Sequence, residues 1–63
     1  MIWKLFLGKK VFIRTNNNRI YSGVVEEIND IGDGLVLIGF KDIRDKFVML
    51  SNKEIAEIKE ENY

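Results

Sequence analysis

The segment RIYSGVVEEIND, residues 19–30, constrains the fold more than any other. Its β-branched and aromatic residues read as a strand. At twelve residues it exceeds the usual strand of about five or six. Gly23 interrupts it, and a glycine inside a strand marks a bulge or a sharp bend, as at a barrel corner. Val25 and Ile28 break strict alternation, which predicts twist or a bulge near Glu26 and Glu27. Adjacent strand residues point to opposite faces. The two glutamates therefore read as a solvated surface rather than as an acid–base pair.

Shorter strand patterns surround this segment. VFIRT, residues 11–15, alternates, and Asn16, Asn17 and Asn18 then supply a hairpin turn, since Asn tolerates left-handed backbone. Asp30, Ile31, Gly32, Asp33 and Gly34 read as a second turn. They lack both the EF-hand spacing and the Gly-Lys-Ser/Thr of a phosphate loop. LVLIGF, residues 35–40, is apolar on both faces and predicts the most buried strand, with Phe40 in the core. Residues 41–45 read as a turn and KFVML, residues 46–50, as a strand. Short strands with turn signals every 8–12 residues predict a small all-β barrel.

The end of the chain reads two ways. Ser51 and Glu54 fit a capping box at a helix start. Leu50, Ile55 and Ile58 equally fit the end of one strand and the body of another. Both hold if residues 51–54 form one tight helical turn and 55–58 the fifth strand, leaving 59–63 as a frayed or briefly helical tail.

Sixty-three residues make one domain, 1–63. A chain of about 60 residues buries only roughly 60% of its unfolded surface, so small scaffolds usually need a staple. With neither cysteine nor histidine, disulfides are excluded and a zinc site is disfavoured. Oligomerisation is the staple left. The absence of cysteine fits a reducing compartment, and a cytoplasmic location is expected. Residues 1–7, an apolar segment or short helix, are too few to span a bilayer, so no membrane association is expected.

Net charge is zero, without the basic excess usual in nucleic-acid-binding domains. Up to Ser22 every charged side chain is basic, whereas acids outnumber bases afterwards. Either one face is basic, or strands from the two halves pair and cancel; the second reading is preferred. No His, no Cys and no nucleophile–base pair argue against an enzyme, and neither a cofactor nor a small-molecule substrate is expected.

The spacing of GKKVFI, then Gly23, Val25 and Ile28, then Asp30 and the apolar triplet Leu35, Val36 and Leu37, resembles the Sm-like (LSm) family. The resemblance spans nearly the whole chain, from about Leu5 to Ile58. Leu50, Ser51 and Asn52, followed by Ile55 and Ile58, fit the spacing of that family's second motif. The resemblance implies a strongly bent, five-stranded SH3-like barrel with a short N-terminal helix. It implies a homo-oligomeric ring in which the fourth strand (Lys46, Phe47, Val48, Met49, Leu50) pairs with a neighbour's fifth (Ile55, Ala56, Glu57, Ile58). It also implies single-stranded RNA as ligand, with Asp30, Asp33, Gly34, Ser51 and Asn52 at the motif positions. Among the aromatics Tyr21 is the best exposed candidate for base stacking; Trp3 and Phe6 are expected to hold the N-terminal segment on the barrel. The chain departs from the family pattern at Gly34, where a loop Asn is usual, at Asp33, where an apolar residue is usual, and at Ser51, where Arg is usual. The alternative function is an oligomeric structural or protein-interaction module without nucleic acid.

Overall fold

The computed structural model describes residues 2–61. A short 3-10 helix, Ile2–Phe6, leads into five antiparallel strands: β1 (Lys10–Thr15), β2 (Ile20–Gly32), β3 (Leu35–Asp42), β4 (Phe47–Ser51) and β5 (Ile55–Glu60). They form one sheet in the order β4-β3-β2-β1-β5. The all-β expectation holds, and so does the fifth strand after a single turn. Glu54 N–H donates to the Ser51 carbonyl (3.0 Å), while Ser51 N–H donates to the Glu54 carboxylate (2.9 Å). The glutamate half of the capping box is thus present, but it closes one turn rather than starting a helix.

β2 serves two partners. Its first part pairs with β1 (Lys10↔Val24 to Arg14↔Ile20), and its later part pairs with β3 (Gly23↔Asp42 to Gly32↔Leu35). β1, β2 and β3 run abreast only where these registers overlap, at Gly23 and Val24. A Cβ on Gly23 would sit 2.0 Å from the Lys41 carbonyl oxygen, well inside van der Waals contact. Glycine is therefore required there for β3 to close on β2. The register slips between Val25 and Glu27, leaving Glu26 as the expected bulge, and slips again between Asp30 and Gly32.

The bend folds the sheet around one core. Val11, Ile13, Val25, Ile38 and Phe40 are fully buried or nearly so, with Val36 and Leu50 close behind. Each such side chain contributes on the order of 1.5–3 kcal/mol of transfer free energy. Trp3 and Phe6 pack against this cluster and hold the 3-10 segment on it. β3 alternates between half-buried and buried residues and then becomes continuously buried at Ile38, Gly39 and Phe40, as its apolar run predicts.

Closure into a barrel is not observed. β4 pairs with β3 alone and β5 with β1 alone, so among the described residues both are sheet edges. The turn that links them is held at both ends. It is tied at one end to β3, where Asn52 N–H donates to the Val36 carbonyl (2.8 Å). At the other end it is tied to the β1 hairpin, where Asn16 N–H donates to the Glu54 carbonyl (2.9 Å). These ties carry the chain across the mouth of the bent sheet without joining its edges. Boundaries also shift: β2 runs on to Gly32, β4 starts at Phe47 rather than Lys46, and β5 continues through Lys59 and Glu60. Of the rest of the expected tail, Glu61 donates its N–H to the Lys10 carbonyl (2.9 Å), and Asn62 and Tyr63 lie outside the described residues.

The charge asymmetry resolves as cancellation. β1 lies beside β5, where Arg14 meets Glu57 (3.4 Å) and nearby Lys9 meets Glu60 (3.9 Å). Such exposed pairs contribute only about 0–1 kcal/mol each, so they neutralise the surface more than they stabilise it.

Gly23→Ala is expected to destabilise the fold by about 3 kcal/mol in urea unfolding, because backbone must move to admit the methyl. Gly34→Ala, with positive φ but open space around the added carbon, is expected to cost only about 1 kcal/mol.

Candidate functional site

Five of the six residues singled out for a ligand come together at one end of the sheet. Gly32, Asp33 and Gly34 all have positive φ (93°, 56° and 76°), which turns β2 tightly into β3. Asp30 stabilises the approach by accepting the Gly32 N–H (3.0 Å). The β4–β5 turn lies directly against this loop through Asn52. Its side-chain oxygen accepts the Val36 N–H (3.0 Å) and its Nδ2 donates to the Gly34 carbonyl (2.9 Å). With its own N–H on the Val36 carbonyl, Asn52 acts as a short extra strand beside β3. Its amide is thereby committed to backbone at both ends.

Tyr21 stands apart. It lies in the stretch of β2 beyond the Gly23↔Asp42 rung, at the opposite end of β3 from Gly34. Eight strand residues separate those ends, roughly 25 Å at 3.3 Å per residue. Its ring is partly buried and meets Phe40 edge-on, centroids 5.6 Å apart at 70°. Tyr21 therefore does not share a surface with the loop residues.

Asn16 reads as a turn residue, and its Nδ2 also donates to the Lys53 carbonyl (2.7 Å), tying the hairpin turn to the β4–β5 turn. Only the run of three asparagines hinted at such side-chain-to-backbone bonding. Thr15, the one buried polar residue among those described, closes the same hairpin through its hydroxyl, which bonds Asn17 and accepts the Arg19 N–H (3.1 Å).

The sheet edges form the second candidate surface. In antiparallel strands a residue's N–H and C=O point to the same side, alternating along the chain. Lys46 accepts from Asp42, and Asn52 donates to Val36, so Val48 and Leu50 also face β3. Phe47, Met49 and Ser51 turn their backbone groups outward, although the Ser51 N–H already meets Glu54. On β5, Glu61 N–H donates to Lys10, and the register Phe12↔Lys59 and Arg14↔Glu57 has the same parity. Ile58 and Glu60 therefore turn outward. Phe47 and Met49 are both exposed. The Phe47 ring lies over Gly39, where a Cβ would come within 2.6 Å of it. That contact fixes the start of β4.

The turn into β4 has its own brace. Asp42 Oδ1 accepts from the backbone N–H of Arg44 and of Lys46, both at 2.9 Å. The Lys46 hydrogen bond above all holds the Asp42 carboxyl below its ordinary value; desolvation opposes this, and the Arg44 amide and the charges of Arg44 and Lys46 add to it. Among the described residues no three His, Cys, Asp or Glu side chains are placed to hold a metal ion, and no helix is long and apolar enough to cross a membrane.

Two outcomes follow from these contacts. Asn52→Ala leaves Val36 N–H and Gly34 C=O without their side-chain partners; a loss of about 2 kcal/mol is expected, with faster amide exchange at Val36. For Asp42, a depressed folded-state pKa means its contribution is complete above the unfolded value and fades as pH falls through the lower folded one. The stability difference between wild type and Asp42→Asn, followed by urea melts from pH 6 downward, is therefore expected to persist to the ordinary carboxylate range and vanish only below it. Compared with protein-family models, with curated proteins and with solved structures, the chain finds no match in any of the three.

Proposed function

We propose that this chain is a self-assembling interaction module of Sm-like character, in which β4 of one copy pairs with β5 of the next. The observation that carries this reading is the presence of two open edges on one small sheet. Each offers outward backbone groups, at Phe47 and Met49 on β4 and at Ile58 and Glu60 on β5. An unpaired edge is a template for another strand. No proline blocks either one. The contact is heterologous, so it closes into a ring when the rotation per copy allows it. Assembly also supplies the staple that a 63-residue chain without cysteine otherwise lacks.

Single-stranded RNA is the second reading, supported by the resemblance and by the meeting of Asp33, Gly34, Ser51 and Asn52 at one end. Two observations rank it lower. The Asn52 amide is occupied by backbone, and Arg14 of β1 and Lys9 just before it face carboxylates.

Light scattering tests the assembly. Wild type is expected at a multiple of 7.4 kDa, and Met49→Pro near the monomer mass with its β circular dichroism retained. Proline removes an outward N–H without touching the β3 ladder. A monomeric wild type overturns the assembly. A labelled oligouridine that fails to bind at low salt overturns the RNA reading.

A further inference from the structure

A third unpaired edge lies far from the loop cluster. β2 leaves β3 at the Gly23↔Asp42 rung, and from there Ile20, Tyr21 and Ser22 pair with β1 alone. The β3–β4 turn diverges on the other side. Between them opens a cleft of about 240 Å³, lined by Ile20, Tyr21, Ser22, Asp42, Ile43 and Arg44. It occupies the lane that β3 has left.

The backbone on this side can be assigned. Val25 N–H donates to Lys9, and Arg19 accepts from Thr15, so odd-numbered residues of this stretch face β1. By alternation, Ile20 and Ser22 turn their N–H and C=O groups into the cleft. The walls are part apolar and part charged: Ile20 is 62% and Ile43 77% exposed, the partly buried Tyr21 and the Asp42 carboxyl also line the cleft, and the Ser22 hydroxyl donates to the Glu61 carboxylate. One cation stands at the rim. Lys9, Arg14, Lys41 and Lys59 each lie within 4.0 Å of a carboxylate. Arg44 is in no such pair among the described residues. The acid beside it, Asp42, accepts the amides of Arg44 and Lys46 through Oδ1 and feels the Arg44 charge without a close ion pair.

We propose that this cleft takes an extended peptide that adds as a strand to β2 at Ile20 and Ser22, packs an apolar side chain between Ile20 and Ile43, and sets a carboxylate on Arg44. Strand addition draws its affinity from main-chain hydrogen bonds and its specificity from alternate side chains. Acidic–apolar alternation suits this wall, and a guanidinium is the side chain best suited to a carboxylate. The site uses neither the β4 nor the β5 edge, so it stands independently of self-assembly.

The probe is a fluorescein-labelled hexapeptide of alternating valine and glutamate, titrated into the full chain. Binding is expected, with amide shifts at Ile20 and Ser22 in 15N spectra. A version N-methylated on alternate amides, and one with lysine for glutamate, are each expected to bind about tenfold more weakly or worse. Arg44→Ala is expected to weaken the parent peptide about tenfold. Ile43→Asp, at an exposed position that the core does not need, is expected to weaken it while the fold persists. The same shifts in Met49→Pro keep the result separate from assembly. Undiminished binding of the methylated peptide, no binding at all, or shifts confined to the β4 and β5 edges would overturn the proposal. So would displacement of the peptide from these amides by oligouridine, which would make the cleft a nucleic-acid site.

Discussion

At Gly23 the backbone of β2 lies so close to the Lys41 carbonyl that no side chain fits between them. Here the sheet changes direction. On one side of this rung β2 belongs to β1, and on the other to β3. The bend brings Val11 and Ile13 from β1 onto Ile38 and Phe40 from β3, making one core from strands that a flat sheet would hold apart. The same rung explains the surface features. Because β3 departs there, a cleft is left beside Ile20 and Ser22. Because the sheet wraps without closing, β4 and β5 remain edges.

Side-chain amides do the closing that strand pairing does not. Asn52 extends β3 by mimicking one more residue of ladder, and Asn16 holds the same turn from the hairpin side. Each supplies a backbone group with a partner that no neighbouring strand offers: the Val36 N–H, which is part-buried, and the exposed Gly34 and Lys53 carbonyls. An amide that completes the fold in this way is not available for other hydrogen bonds.

Much of this was legible in the residues. Gly23 announced the bend, the break at Val25 and Ile28 announced the bulge, and the apolar run 35–40 announced the central strand. Local signals were ambiguous where tertiary pairing decides. Ser51 and Glu54 look alike whether they start a helix or close one turn, and only the register of Ile55 and Ile58 against β1 separates the two. Barrel closure was illegible for a related reason, since pattern fixes which face a strand buries but not whether two edges meet. Tyr21 reads as exposed in the sequence, but its contact with Phe40 depends on the bend. The cleft gave no signal at all: Ile43 and Arg44 read as ordinary turn residues, and only the divergence of two strands makes them walls.

The Glu54 carboxylate on the Ser51 N–H has a consequence for any strand docking against β4. It takes up the last outward donor of that edge, leaving those of Phe47 and Met49. A docking strand thus meets a stop at one end and a start fixed by the Phe47 ring over Gly39 at the other. Sliding by one residue exchanges the faces of every incoming side chain, and sliding by two forfeits a rung. With so short a ruler, any strand docking there would have one reading frame.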